Sequence, residues 1–276
     1  MKITRGQFLK TVGLSATATF ATASGFSSPA SAMEAKFKLG LASYTLRKLN
    51  LDEVIDVCKR LGLSTVALKS MHMPLESSAE DIKAMAGKVR EAGLDLYGAG
   101  VIYMKTKQEV NDAFEYASNA GLEMIIGVPN HELLPQVNEL VKKNNIKLAI
   151  HNHGPGDDLY SSPNDVYAKI KDLDKRIGFC IDIGHVVRIG QDPVPMIEKY
   201  KDRLYDMHLK DVNKAQSDGT PVEIGRGVID IPAVIKALNK IKYQGYTALE
   251  YEKDGDNPVP GLAESVGYVR GIMKMV

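Results

Sequence analysis

His151 and His153 stand two residues apart at the end of the apolar run in "LAIHNHGPGDD" (148–158). Side chains two apart on a strand share a face. On a core face two imidazoles are an odd filling; on a pocket face they are ligands or proton carriers. Carboxylates keep similar company. Asp182 interrupts the apolar "FCIDIGH", and Glu250 interrupts "TALEYE", with Glu252 one step further out on the same face. A buried carboxylate is costly unless it is paired or bound to a metal. In "MHLKD", His208 and Lys210 share a face. His151, Asp182, His208 and Glu250 together offer two imidazoles and two carboxylates. That mixed set suits one divalent ion such as Mn, Co, Fe or Zn better than Mg or Ca.

These residues need elements to bring them together. Short apolar runs alternate with amphipathic segments along the chain. The runs 38–43, 64–70, 95–101, 123–129, 147–153, 178–184, 204–211 and 246–252 read as parallel strands covered on both faces. Helices are predicted over Leu51–Leu61, Glu80–Ala92, Lys107–Ala120, Glu132–Asn145, Pro163–Leu173, Pro193–Tyr200, Ile231–Ile241 and Pro260–Met275. Phrases such as "RLGLSTVAL" and "NAGLEMIIG" end a helix just before the next strand. A longer insertion follows the seventh strand. The pattern predicts a single α/β domain, a (β/α)8 TIM barrel over residues 33–276. A doubly wound open sheet is the alternative, but "LASYTLRKLN" stands where a G-x-G-x-x-G would follow the first strand.

In such a barrel the active site lies at the C-terminal ends of the strands. All six histidines fall there: His72 after strand 2, His131 after strand 4, His151 and His153 ending strand 5, His185 after strand 6 and His208 late in strand 7. His151, Asp182, His208 and Glu250 therefore converge from strands 5 to 8 as a metal set. His153, His72, Lys69 and Glu252 are expected to face substrate. Plainer readings stand beside these. His72 and His131 could be loop hydrogen-bonders, Lys69 a structural cation at the barrel mouth, and Asp182 a cap for the Gly184-His185 turn. The glycines of "GRGVID" (225–230) could pass a phosphate or make a turn. Arg226 there is the natural clamp for an anion or hydroxyl.

With 44% hydrophobic and 25% charged residues the composition is that of an ordinary globular enzyme. A net charge of +1 gives none of the basic footprint of a nucleic-acid binder. Cys58 and Cys180 are too few for a disulfide framework and read as buried free thiols. Residues 1–32 read as a signal peptide: Arg5 and Lys10, a mildly apolar stretch, then Ala30-Ser31-Ala32 as a cleavage site. "TRGQFLK" (4–10) resembles a twin-arginine signal with Gly6 in place of the second arginine. Export, to a periplasm, is the expectation, with no membrane segment in the mature chain. The sequence leaves oligomer formation open.

The motifs "IDIGH" (181–185), "HLKD" (208–211), "GRGVID" (225–230) and "LEYE" (249–252), in this order, resemble the xylose isomerase-like family of sugar isomerases and epimerases. The resemblance covers the mature chain. It implies one divalent metal held from strands 5 to 8, with Asp182, His208 and Glu250 as ligands and His185 contacting substrate oxygens beside it. The resembled epimerases carry a glutamate at the first position, where this chain has His151. It implies a carbohydrate substrate and proton abstraction next to a carbonyl. Glu250, His151 or His153 could take that proton, and Lys210 could stabilise the oxyanion. Isomerisation or epimerisation of a sugar is the first expectation. Elimination from a 3-keto-glycoside is the second, and a non-catalytic sugar-binding barrel the third.

Overall fold

The structure, a computed structural model, describes residues 37–276. The expected leader, 1–32, lies outside the described residues. Eight parallel strands close a barrel: β1 Lys38–Ala42, β2 Thr65–Leu68, β3 Asp95–Met104, β4 Met124–Pro129, β5 Lys147–His151, β6 Ile177–Asp182, β7 Leu204–Leu209 and, after a small hairpin, β10 Tyr246–Leu249. Each strand pairs with its sequence neighbour, and β10 pairs with β1 to close the ring. This is the (β/α)8 barrel that the apolar runs predict. The hairpin, β8 Asp211–Val212 with β9 Pro221–Val222, is the expected insertion after the seventh strand.

Helices α1 Leu51–Leu61, α2 Ala79–Glu91, α3 Lys107–Asn119, α4 Leu134–Asn144, α5 Pro163–Ile170, α6 Ile183–Arg188, α7 Pro193–Lys199, α8 Ile231–Lys240 and α9 Val259–Met275 pack outside. Their starts are chemically marked. Asn50, Thr106 and Ser162 each form a capping box with the residue three further on. Short helix α6 has no counterpart in the sequence reading. It begins directly at the end of β6 because Asp182 caps it.

The apolar core has two parts. A large cluster lies between barrel and helices, and a smaller one fills the barrel floor with Tyr97, Met124, Ile126, Ala149, Cys180 and Tyr246. Tyr97 and Tyr246 stack there with centroids 3.7 Å apart. Both thiols are buried and free, and burial pushes Cys58 up to about 12. No helix among the described residues is long and apolar enough to cross a membrane.

Candidate active site

Barrel register explains why chemistry-bearing side chains meet. Cys180 pairs with Asp206, and Asp182 pairs with His208, so period two stacks them in successive interior layers. His151 sits opposite Cys180 at the top of β5. Glu250 continues β10, its amide donating to Leu209 O at 3.0 Å. Below them lies the tyrosine and methionine floor. The interior therefore turns from apolar to ionisable over one layer, at the C-terminal end of the strands.

One donor atom from each of His151, Asp182, His208 and Glu250 lies within 4.8 Å of the others, and all four residues are buried. Their exposures are 1%, 0%, 1% and 5%, too low for solvent to neutralise the carboxylates. His151 Nε2 is 3.2 Å from His208 Nδ1 and 3.5 Å from Asp182 Oδ2, while His208 Nδ1 is 3.2 Å from Glu250 Oε2. Nitrogens each about 2.1 Å from one ion would lie about 3.0–3.4 Å apart. Asp182 Oδ2 and two imidazole nitrogens, His151 Nδ1 and His208 Nε2, lack aligned hydrogen-bond partners. The donor set and the unaligned Asp182 oxygen fit a divalent cation of the zinc or manganese kind. Asp182 also serves the local backbone, for its other oxygen accepts from the His185 amide at 2.8 Å. Capping and ligation, alternatives in the sequence, are compatible because they use different oxygens.

Lys210 adds a fixed positive charge. Its ammonium is 2.9 Å from Asp182 Oδ2, 2.8 Å from Glu250 Oε2 and 3.3 Å from Glu252 Oε2. Burial works against that charge, but the carboxylates of Asp182, Glu250 and Glu252 outweigh it and hold the pKa well above the usual lysine range. Glu250 shows the converse. Burial opposes its ionisation, yet Lys210 and His208 hold it well below the usual range. His208 is raised to about 9: burial opposes protonation and Glu250 beside it prevails. His151 is held well below the usual range by burial, so it is neutral and able to donate a lone pair. His185 is lowered to about 4, again by burial.

Above the cluster opens a pocket of about 350 Å³ lined by Tyr44, Lys69, Val101, Tyr103, His151, His153, His185, Glu250 and Glu252. Larger cavities exist on the outer helical layer and at the barrel floor, but this one adjoins the ionisable cluster. The turn Gly154-Pro155-Gly156 follows His153 and packs against His185. Gly154 has φ +73°, and a Cβ there would come within 2.8 Å of His185 O, so only glycine lets this turn pack on the start of α6.

Of the expected substrate contacts, the structure brings His153, His185, Lys69 and Glu252 to this pocket and leaves two elsewhere. His72 is 3% exposed, with Nδ1 2.8 Å from the Ser43 hydroxyl and Nε2 3.2 Å from Leu46 O. It ties the β1 and β2 loops together, which corrects the substrate-binding expectation. Arg226 points outward into a two-pronged ion pair with Glu264, its NH2–Oε2 arm at 2.7 Å. The "GRGVID" amides are also spoken for. Asp211 accepts from the amides of Gly225, Gly227 and Ile229 at 2.9, 3.0 and 3.2 Å. The loop wraps a carboxylate of its own chain, and the phosphate reading falls. His131, likewise, meets Leu159 O at 3.0 Å.

Sequence reasoning missed Tyr44, Tyr103 and Asp206. Asp206 lies one layer below the cluster with Oδ2 3.7 Å from His208 Nε2, where a carboxylate can orient a ligating imidazole. Its signal was present: Asp206 and His208 are two apart on one strand, whereas β5 ends at His151 and His153 lies just beyond it.

Residues 45–272 match the family described as xylose isomerase-like TIM barrel. The chain belongs to that family. Among relatives of this xylose isomerase-like barrel is an inosose dehydratase from Clostridium perfringens, 28% identical over 50% of this chain and 49% of the relative. An inosose dehydratase from Geobacillus thermodenitrificans is 26% identical over 50% and 51%. The chain thus matches about half the length of these curated relatives. Two solved structures share the fold. The IolI protein with a bound zinc atom superposes with TM-score 0.73 and 14% identity, over 87% of this chain and 99% of that one. The 3-keto-D-glucoside 4-epimerase YcjR of E. coli superposes with TM-score 0.69 and 15% identity, over 86% and 100%. The curated relatives are inosose dehydratases, and the structures that share the fold include an enzyme of keto-sugar chemistry.

Proposed function

We propose that this xylose isomerase-like barrel is a metal-dependent enzyme that removes the proton next to a carbonyl in an uncharged keto-sugar or keto-polyol. The β-substituent then leaves, as an alcohol from a 3-keto-glycoside or as water from an inosose. His151, Asp182, His208 and Glu250 would hold the metal. When bound, it supplies Lewis-acid polarisation of the substrate oxygen. Glu250 takes the proton, and Lys210 keeps it ionised until then.

One observation carries this reading. Of the two cluster carboxylates, Glu250 alone also lines the pocket. A carboxylate on each side of the substrate would suit a symmetric two-base exchange. This site has Glu250 on one side and the neutral imidazole of His151 where the resembled epimerases carry glutamate. One-sided abstraction followed by departure of a neighbouring group is the chemistry that arrangement serves best. Among the described residues Lys69 is the one lysine lining the pocket and no guanidinium does, which disfavours a phosphorylated substrate. Kinship with inosose dehydratases supports the same choice. Epimerisation is the second reading: His153 also faces the pocket and could return a proton from the far side.

The test is to load the protein with Mn, Co or Zn and incubate it with methyl 3-keto-β-glucoside and with an inosose, following products by NMR. Release of methanol or loss of water is expected, reduced by at least about 100-fold in Glu250→Gln. An epimer as the only product would establish the second reading. Binding without turnover, unchanged in Glu250→Gln, would leave a sugar-binding barrel and sink the enzymatic reading.

A further inference from the structure

We propose that Tyr103 is a second catalytic residue of this site: it gives its phenolic proton to the departing oxygen while Glu250 removes the carbon-bound proton. This rests on the elimination reading above. Tyr103 lines the same pocket as Glu250 and is 48% exposed. It is held there by a chain of contacts. The hydroxyl lies 2.9 Å from His153 Nε2, and the two rings stack with centroids 5.5 Å apart. On the other side of that imidazole, Asp157 Oδ2 lies 3.1 Å from Nδ1, off the ring's N–H direction. The Asp157 charge favours the tautomer with the proton on Nδ1, which leaves Nε2 to accept from Tyr103. Asp157 is itself fixed, its other oxygen accepting from the amides of Leu159 at 2.7 Å and Tyr160 at 2.9 Å.

The Gly-Pro-Gly turn makes this possible. It folds the chain back so that Asp157, four residues after His153, lies beside the ring. Backbone bonds from His153 to Tyr160 and from Gly154 to Ser161, each 3.1 Å, close the loop. His153 and Asp157 are positioning residues. They set the phenol at the pocket wall rather than touching the reacting atoms.

The step balances. The Glu250 carboxylate takes the proton from the carbon next to the carbonyl. The electron pair left behind is held as the enolate, which either regains a solvent proton or goes on to form the carbon–carbon double bond as the bond from the adjacent carbon to the leaving oxygen breaks with its electrons on oxygen. Tyr103 transfers its proton to that oxygen, and an alcohol departs. The tyrosinate regains a proton from solvent, and Glu250 returns one to solvent. An alkoxide is far more basic than a phenolate with a reference pKa near 10, so transfer from tyrosine runs downhill. A p-nitrophenolate leaving group is less basic than tyrosinate and needs no such help.

That difference supplies the experiment. Wild type and Tyr103→Phe, both metal-loaded, are compared on methyl and p-nitrophenyl 3-keto-β-glucosides in D2O. Product release and deuterium incorporation into recovered substrate, at the carbon next to the carbonyl, are both followed. Tyr103→Phe is expected to lose methanol release by about 10–100-fold, while p-nitrophenol release stays within about threefold of wild type. Deuterium incorporation, which depends on Glu250, should persist. Asp157→Asn should show the same leaving-group pattern more weakly. Equal losses on both substrates in Tyr103→Phe, or none on either, would overturn the proposal while leaving the function intact. Equal losses in Asp157→Asn would remove its positioning role. A wild type that neither releases product nor incorporates deuterium would remove the elimination reading, and this proposal with it.

Discussion

Imidazole and carboxylate differ in what they can do at the position His151 occupies. A carboxylate there could bind a metal and also carry a proton. A neutral imidazole with one nitrogen on the metal has no such freedom, and burial keeps His151 neutral. The two-residue spacing of His151 and His153 was legible in the sequence, and so was the cost of burying Asp182 and Glu250. Which histidines serve the site was not legible. His72 and His153 both follow strands and both are largely sequestered, but His72 finds Ser43 and Leu46 as partners while His153 faces Tyr103. Partners of that kind come from distant parts of the chain and leave no local pattern. Arg226 illustrates the opposite error, a cation beside glycines whose partner, Glu264, lies on a distant helix. Arg226→Ala should therefore leave both kcat/KM and metal content unchanged within error. A fall in either, measured on the metal-loaded protein, would return Arg226 to the site.

Elements were read well where one physical signal dominated. Continuous apolar runs gave the strands, and amphipathic segments gave helix starts at Leu51, Lys107 and Pro163, each of which proves to be capped by the residue before it. Strand β3 was read too short, ending at Val101, although Ile102-Tyr103-Met104 continue the apolar run; its register shifts between Ala99 and Ile102. It runs to Met104, and the three extra residues include Tyr103. That misreading hid the tyrosine from the list of site residues. Helix α6, six residues long, is too short for periodicity to reveal. The loop after β7 shows how an element end can be built by one side chain. Asp211 satisfies three amides of residues 225–229, and a Cβ on Gly227 would lie 2.1 Å from Asp211 Oδ1. Gly227→Ala should destabilise the protein by about 1–3 kcal/mol through that overlap. Urea unfolding measures it, and an unchanged midpoint would mean the loop can yield.

Across the whole molecule, closure of the barrel is what makes a site of residues scattered over a hundred positions. Strands β5, β6, β7 and β10 are neighbours in the ring, so His151, Asp182, His208 and Glu250 meet above a floor of tyrosine and methionine. The strand–helix period revealed that architecture in the sequence, and the barrel rule located the site. The order of side chains across the pocket emerged only from the folded chain. The proposed chemistry requires the four-residue centre to be a metal site. The direct measurement is metal stoichiometry of chelator-stripped protein titrated with Zn or Mn, in wild type and in His151→Ala. One ion per chain in wild type, with weakened binding in His151→Ala, is the expected result. No ion bound by wild type, or equal affinity in both proteins, would contradict it.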